Sequence, residues 1–495
     1  MTKQTSLEAI TEERLQKLER LRQQGFNPYP NRYRRSHTAS EAVALLGTQE
    51  AAGTEERGEV SVAGRVTARR DMGKISFIDL RDGSGKIQLL CSNALGEEAR
   101  RVLKEIDIGD IIGASGKVFR TRTKEPTIET TDIVMLAKSL RPLPEKWHGL
   151  ADVDKRHRQR YLDLIANPGV KEIFETRSRV IAKVRQFMNR RGFIEVETPV
   201  LQPEAGGALA RPFVTHHNAL DQDFYLRIAL ELHLKRLIVG GLERVYEIGR
   251  IFRNEGLSHK HNPEFTMLEC YQAYADYRDV MKLVESMVAG VCRKTRGSLT
   301  AQFVGHEINF KPPWKRLDLR EAVKSFSGID YAECPDAASL GNAMVKIGMT
   351  VDPNKDRGRL IDELISTYVE PNLVQPTFLV DYPRDMSPLA KNRPDNDRVV
   401  ERFEAFAGGM EIANAFTELN DPGEQRRRFR EQVAGRSAHT EGEEWTIDED
   451  YLEALEYGMP PTGGLGVGID RLVMLVTGQE SIREVILFPQ LRDKP

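Results

Sequence analysis

The sequence predicts an α+β protein in two parts: a five-stranded β-barrel, then a larger domain in which long helices and strands alternate. Two changes of texture predict it. Residues 59–140 read as short strands joined by turns, and from about 166 onward the chain reads as long helices separated by strands. Arg141-Pro142-Leu143-Pro144 closes the first unit. Residues 1–145 are therefore expected to form one domain, 146–165 a basic linker, and 166–495 a second domain.

In residues 6–25, Leu7, Ile10, Leu15, Leu18 and Leu21 recur at roughly helical spacing, and Gly25 stops the run. Asn27-Pro28-Tyr29-Pro30 breaks the chain, and the basic run Arg32-Tyr33-Arg34-Arg35 after it fits a solvated surface as well as RNA contact. Val60-Ser61-Val62-Ala63-Gly64-Arg65-Val66 alternates as a strand should, 75–80 forms a second strand, and Arg81-Asp82-Gly83-Ser84-Gly85 is a hairpin turn returning through 86–91. A helix over 95–106 and strands over 111–119 and 127–136 follow. Five strands with a helix after the third is the order of an oligonucleotide-binding barrel. Beyond the basic run 155–160, a helix over 174–190 leads through Gly192 to a strand ending at Pro199. The helix-rich stretch 295–375 is read as an insertion.

Composition excludes several classes. Lys plus Arg (72) nearly balances Asp plus Glu (74), so the protein carries no general basic coat for nucleic acid, although a local patch is compatible. No apolar run approaches the roughly 18–20 residues that span a bilayer. The N-terminus has no apolar signal segment, and the four cysteines form no Cys-x-x-Cys pair, which fits a reducing cytoplasm.

Four segments carry chemistry. In Arg253-Asn254-Glu255 and Glu264-Phe265-Thr266-Met267-Leu268-Glu269-Cys270-Tyr271, two strands joined by a polar loop would set Arg253 and Glu255 on one face, and Phe265, Glu269 and Tyr271 on one face. A cation for phosphate and a ring for a base would then share a surface; an exposed hairpin with ordinary charge pairs is the plainer alternative. Gly464, Gly466 and Gly468 alternate, leaving one face of a strand without side chains, and Arg471 falls in the first turn of the helix that follows. The pattern is neither Gly-x-Gly-x-x-Gly nor a Walker A loop. Finally, a two-residue turn at Gly408-Gly409 would pair Phe406 with Glu411 and Glu404 with Ala413, placing Glu404 and Glu411 within joint reach of a metal. Two surface glutamates on a hairpin read equally well. Asn414, Phe416 and Glu418 have the opposite parity, so either a bulge intervenes near Ile412-Ala413 or they serve another surface.

In order, residues 191–201, Arg253-Asn254-Glu255 with Phe265, and the glycine run ending at Asp470-Arg471 resemble the three signature motifs of class II aminoacyl-tRNA synthetases, the Glu404/Glu411 hairpin standing apart from them. Together with the barrel they resemble the subgroup for lysine, aspartate and asparagine. Thr215-His216-His217-Asn218, Phe252-Arg253-Asn254-Glu255-Gly256, His261-Asn262-Pro263-Glu264-Phe265-Thr266 and Phe416-Thr417-Glu418-Leu419-Asn420-Asp421 are similar to the bacterial-type lysyl-tRNA synthetase family.

That resemblance implies a class II catalytic domain on an antiparallel sheet flanked by helices, acting in the cytoplasm as a homodimer that binds L-lysine, ATP, Mg²⁺ and tRNA(Lys). Lysine would attack the α-phosphorus of ATP to form lysyl-adenylate and then pass to the 3′ end of tRNA. Arg253 would hold the α-phosphate and Arg471 the γ-phosphate. Phe265 would cover adenine and Glu255 read its amino group, with His261, Asn262 and Glu404 also at ATP, and Glu404 and Glu411 as metal ligands. The lysine site would comprise Gly207 (or Gly206), Glu231, Arg253, Glu269, Tyr271, Asn414, Phe416 and Glu418. A lysine pocket needs carboxylates, because a buried unpaired ammonium costs several kcal/mol; Glu231 read alone, however, is a helix-surface charge paired with Lys235 at i,i+4. In the barrel, Phe77 is the stacking candidate, and Arg69, Gln88 and Glu125 are the anticodon readers. Lys260 stands where the family has arginine, keeping the charge without the bidentate fork. A paralogue that lysylates a protein and a non-enzymatic single-strand binder remain alternatives; the barrel speaks against the first, and Arg253, Glu404, Glu411 and Arg471 against the second.

Overall fold

The computed structural model describes residues 3–54, 57–144, 150–204, 206–207, 210–437 and 447–492. The chain divides into two compact units, Met1–Leu150 and Ala151–Pro495.

The first unit opens with helices α1 (Lys3–Gln23) and α2 (Ala39–Ala51), then strands β1 (Glu59–Met72), β2 (Ile75–Arg81) and β3 (Lys86–Cys91), helix α3 (Glu97–Lys104), and strands β4 (Ile111–Arg120) and β5 (Pro126–Ala137). The strands close into a barrel in the order β1-β2-β3-β5-β4. Alternate residues Val62, Ile78, Leu80, Ile87, Leu89, Ile112 and Ile128 fill it. Helix α2 begins in a capping box between Thr38 and Glu41. Sequence reading passed over α2, whose Ala-rich face gives little periodic contrast.

The second unit contains α4 (Val153–Arg158), α5 (Arg160–Ala166), α6 (Pro168–Arg190), β6 (Ile194–Glu195), β7 (Leu201–Gln202), β8 (Val214–His217), β9 (Gln222–Leu226), α7 (Glu231–Val239), β10 (Arg244–Phe252), β11 (Glu264–Ala273), α8 (Tyr277–Arg296), β12 (Thr300–Phe303), β13 (His306–Asn309), β14 (Lys315–Asp318), α9 (Leu319–Ser327), α10 (Ala337–Lys346), α11 (Arg357–Leu364), β15 (Thr377–Pro383), β16 (Asn392–Arg393), β17 (Asn396–Ala407), β18 (Met410–Thr417), α12 (Pro422–Ser437), α13 (Glu449–Glu456), β19 (Thr462–Gly468), α14 (Ile469–Thr477) and α15 (Ile482–Val485). The main sheet runs β14-β15-β17-β18-β19-β11-β10-β6, with β16 on β17. It is antiparallel through its centre and parallel only at its two edge pairs, β14/β15 and β10/β6.

The alternation of the strands separates core from site. Leu268 and Cys270 of β11, Leu465 and Val467 of β19, Ala413 and Ala415 of β18, and Phe403 and Ala405 of β17 are buried in one cluster with α6, α8 and α14 residues such as Val184, Val284 and Val473. The intervening residues of the same strands, Phe265, Glu269 and Tyr271, Gly464 and Gly466, Asn414 and Phe416, and Glu404, line a single pocket.

Two expectations change here. The basic run of the expected linker is helical: α4 and α5 carry it, and Arg160 is fully buried, bonded to Asp163 and to the carbonyls of Arg483, Ile486 and Leu487. Its guanidinium satisfies carbonyls around the short helix α15, a partner that local charge cannot reveal. Residues 145–149 lie outside those described. The expected insertion is also not independent, because β14 joins the main sheet and Leu319, Leu340 and Leu360 share a core with Tyr382, Val400 and Phe406 of the sheet.

Candidate functional site

Every residue proposed for ATP, lysine or metal lines one cavity of about 530 Å³ in the second unit, a size suited to small-molecule substrates. The β17–β18 hairpin turns through Gly408 and Gly409, both at positive φ (61° and 69°), as a tight two-residue turn requires. Phe406 pairs with Glu411 as expected, but Glu404 pairs with Asn414 rather than Ala413. Ile412 is an extra residue, a β-bulge that flips the parity. The bulge lets Glu404, Glu411, Asn414 and Phe416 all reach the cavity.

At one end the groups are cationic and anionic in turn. Arg471 donates through Nη1 to the Glu411 carbonyl (2.7 Å) and carboxylate (3.1 Å), and through Nη2 to His261 Nε2 (3.1 Å). Because a guanidinium only donates, Nε2 accepts, which leaves the Nδ1 proton of neutral His261 for Ser258 Oγ at 2.8 Å. Burial, and then the neighbouring Arg471, hold the His261 pKa below its ordinary value. The Arg253 guanidinium lies 5.3 Å from the Phe265 ring centre. Arg253 and Glu255 were expected on strand β10; they follow its end, in the loop where Arg253 N–H donates to Pro263 O. Asn262 is buried, its amide donating to the Glu264 carbonyl at 2.6 Å.

Glu404 accepts from Arg402 at 2.6 Å, and Arg402 also donates to Asn414 Oδ1 at 3.0 Å. Burial raises Glu404 to about 7, with Glu411 adding to the rise and Arg402 opposing it. Among the described residues no group of three or more His, Cys, Asp or Glu side chains is arranged to hold a metal alone. Glu404 and Glu411 line the same cavity, and two carboxylates are a donor set that fits Mg²⁺, which takes one or two protein carboxylates and completes its shell with phosphate and water.

The other end is deeply buried. Glu269 accepts from the Leu230 amide (3.0 Å) and from Tyr271 Oη (3.0 Å). Burial first, then Glu231, pushes it up to about 7. Glu231 and Glu418 are 7% and 0% exposed, and between them lies Lys235, also 0% exposed. Lys235 Nζ donates to Glu231 Oε1 at 2.5 Å and pairs with Glu418 Oε2. The i,i+4 pairing of Glu231 with Lys235 therefore exists, but as a buried pair rather than a surface one. The missing side chain of Gly464 makes room for this end: a Cβ there would stand 1.8 Å from Glu418 Oε1 and 2.6 Å from Tyr271. Gly466 and Gly468 are less crowded: a Cβ there would meet neighbours only at ordinary contact distance, the nearest 3.8 and 3.9 Å away. Gly207, at φ +85°, would bring a Cβ within 3.3 Å of Glu231. The sequence does not point to Arg402 or Tyr451 at this site, and it offers Lys235 only as a surface partner of Glu231, not as a buried one.

In the first unit, Phe77 pairs with Leu90 and Asp79 with Gln88, so Phe77 and Gln88 share the outer face of the barrel. Glu125 reaches that face through its ion pair with Lys86 (3.2 Å). Arg69 does not join them. Thr67 is bulged between Val66 and Ala68, which sets Arg69 opposite the interior residue Ile78 and sets Arg70 opposite Phe77. The Arg69 guanidinium is taken up by the carbonyls of Leu103 and Ile106 at the end of α3. Arg70 stands in its place on the outer face.

Residues 152–492 match the family model for tRNA synthetases class II (D, K and N), and residues 60–136 match that for the OB-fold nucleic acid binding domain. The chain belongs to the class II tRNA synthetases of this group. Relatives of this synthetase include proteins named lysine--tRNA ligase from Dehalococcoides mccartyi (59% identical, 98% of both chains), Moorella thermoacetica (54%, 97% of both) and Roseiflexus sp. (52%, 99% of both). No helix among the described residues is long and apolar enough to cross a membrane.

Proposed function

We propose that this synthetase is a lysine–tRNA ligase that uses ATP to form lysyl-adenylate and then lysylates the 3′ end of tRNA(Lys) in the cytoplasm. The observation that carries the reading is the division of one cavity into an arginine-rich end and an end built from three buried carboxylates, Glu231, Glu269 and Glu418. A substrate with two ammonium groups suits the second end; aspartate would need cations there. The full-length identity to lysine--tRNA ligases supports the same choice.

Glu269 holds the α-ammonium, and Glu231 and Glu418 hold the side-chain ammonium, with Phe416 and Tyr271 walling the stem, and Gly207 and Asn414 completing the site. The carboxylate of lysine is ionised at neutral pH and needs no general base. Arg253 orients the α-phosphate for in-line attack while Phe265 and Glu255 hold adenine, and Arg471 with His261 receives the terminal phosphates. Glu404 and Glu411 would hold Mg²⁺, which when bound neutralises phosphate charge. In the barrel, Phe77 stacks an anticodon base, with Gln88, Glu125 and Arg70 at its edges. The exposed Ile194 (51%), Val200 (39%) and Leu201 (45%) along 191–201 form the interface of a homodimer.

ATP–pyrophosphate exchange with each amino acid in turn, followed by aminoacylation of total tRNA, tests the function. Exchange with lysine and charging of a lysine tRNA are expected. Exchange without charging would favour the protein-lysylating alternative.

A further inference from the structure

Lys235 has no part in the reading above, yet it sits at the back of the amino-acid end. Its ammonium is fully buried, four residues along α7 from Glu231. It meets Glu231 from its own helix and Glu418 from the segment after β18. Three rings surround it: Phe416 at 5.5 Å, Tyr451 of α13 at 5.9 Å and Tyr271 of β11 at 6.0 Å from Nζ to ring centre. Glu269 lies behind Tyr271, bonded to its hydroxyl. Glu231 and Glu418 line the cavity and Lys235 does not, so the ammonium reaches these carboxylates from the side away from the substrate. Glu418 Oε1 has no hydrogen-bond partner among the described residues and points into the space that Gly464 leaves free. A carboxylate has lone pairs enough to serve two ammonium groups at once.

We propose that Lys235 is a positioning residue and resident counter-ion: it holds Glu231 and Glu418 from behind and trims the charge of the pocket to match the two ammonium groups of the amino acid. The proposal rests on the lysine reading of this end. Three carboxylates and one internal ammonium leave two negative charges, and lysine brings two ammonium groups. Without Lys235 the three carboxylates would face each other with no fixed cation among them, and proton uptake by one of them would be the least costly relief. Burial, with Glu231 and Glu269 adding to it, holds Glu418 above the ordinary carboxylate range, and Lys235 is the group that opposes the rise. Burial works against the charge on Lys235 itself, but Glu231 and Glu418 outweigh it and hold its pKa above the usual value.

The test uses the full chain with Lys235→Met, Lys235→Arg, Glu418→Gln and the double variant Lys235→Met/Glu418→Gln. Lysine and ATP KM values are read from pyrophosphate exchange across pH. Lys235→Met should raise the lysine KM by roughly 30-fold or more, leave the ATP KM within about twofold, and move the acid limb of lysine kcat/KM upward by about a unit. The double variant, with one negative charge removed, should recover roughly fivefold over Lys235→Met. Lys235→Arg keeps the charge and should keep the acid limb in place even if packing suffers. If Lys235→Met lowers the melting temperature and moves both KM values together with no change in the pH profile, Lys235 is a packing residue and the proposal fails. If Lys235→Met does not fold, an acid limb that moves in Lys235→Arg overturns it. Should Glu418→Gln leave the lysine KM unmoved, the lysine reading of this end is what fails.

Discussion

The two ends of the cavity meet the cost of charge in opposite ways. At the amino-acid end, Glu231, Glu269 and Glu418 are buried and held by fixed partners: Lys235, the Leu230 amide and Tyr271. At the phosphate end, Glu411 keeps 37% of its side chain exposed and Arg471 19%, and the two are bonded to each other. Glu404 is likewise bonded to Arg402. On the proposed reading, the first end is built before substrate arrives, and the second would exchange internal ion pairs for phosphate oxygens. Preorganisation favours selectivity, whereas exchangeable pairs suit a ligand whose charge is redistributed as pyrophosphate leaves.

Substitutions at the two ends should therefore separate cleanly. The largest effect is expected at the phosphate end. Glu411→Gln removes a carboxylate needed beside the phosphates and frees Arg471, and pyrophosphate exchange should fall by roughly 10³ or more, with tRNA binding measured by filter retention unchanged. Exchange at wild-type rate would remove Glu411 from the reaction. At the amino-acid end, Glu231→Gln keeps the shape and removes one charge. It should cost about 2–4 kcal/mol, or roughly 30- to 1000-fold in kcat/KM for lysine, with the ATP KM hardly changed.

The glycine strand compares the ends within a few residues. Gly464→Ala collides with Glu418 and Tyr271, and should lower kcat/KM for lysine roughly tenfold or more, as overpacking of about 1–3 kcal/mol implies. Gly466→Ala meets nothing closer than 3.8 Å and should change the lysine value by less than about threefold. Equal effects at the two positions would erase the distinction drawn between them. The smallest and most informative difference lies in pH. Glu269 and Glu404 are both raised to about 7, chiefly by burial. Each must be ionised to act, so kcat/KM for lysine and for ATP should both fall as pH drops below that value. Raising Mg²⁺ should shift the ATP limb to lower pH, because metal binding competes with the proton, and leave the lysine limb in place.

Much of this was legible in the residues. All five barrel strands follow from their alternation and turn residues, and β3 begins and ends where its pattern does, at Lys86 and Cys91. Gly408-Gly409 marked the hairpin that delivers Glu411 and Glu404. What escaped was parity and depth. The bulge at Ile412 is one of the two readings that the parity of Asn414, Phe416 and Glu418 leaves open, and it sets Glu404 opposite Asn414; the bulge at Thr67 has no local sequence mark, yet it takes Arg69 off the outer face of the barrel. Periodicity likewise cannot tell whether an i,i+4 pair lies in water or in a core. Lys235 and Arg160 both read as surface charge, and both are fully buried because distant segments close over them.

The central claim is that the buried carboxylates select the amino acid. The most direct test is the full chain and its Glu231→Gln and Glu418→Gln variants in pyrophosphate exchange, with all twenty amino acids at fixed ATP. The account predicts exchange with lysine in the unmodified chain, a large rise in lysine KM in both variants, and an ATP KM that does not move. Exchange driven by aspartate or asparagine, or lysine discrimination unaltered in both variants, would contradict it.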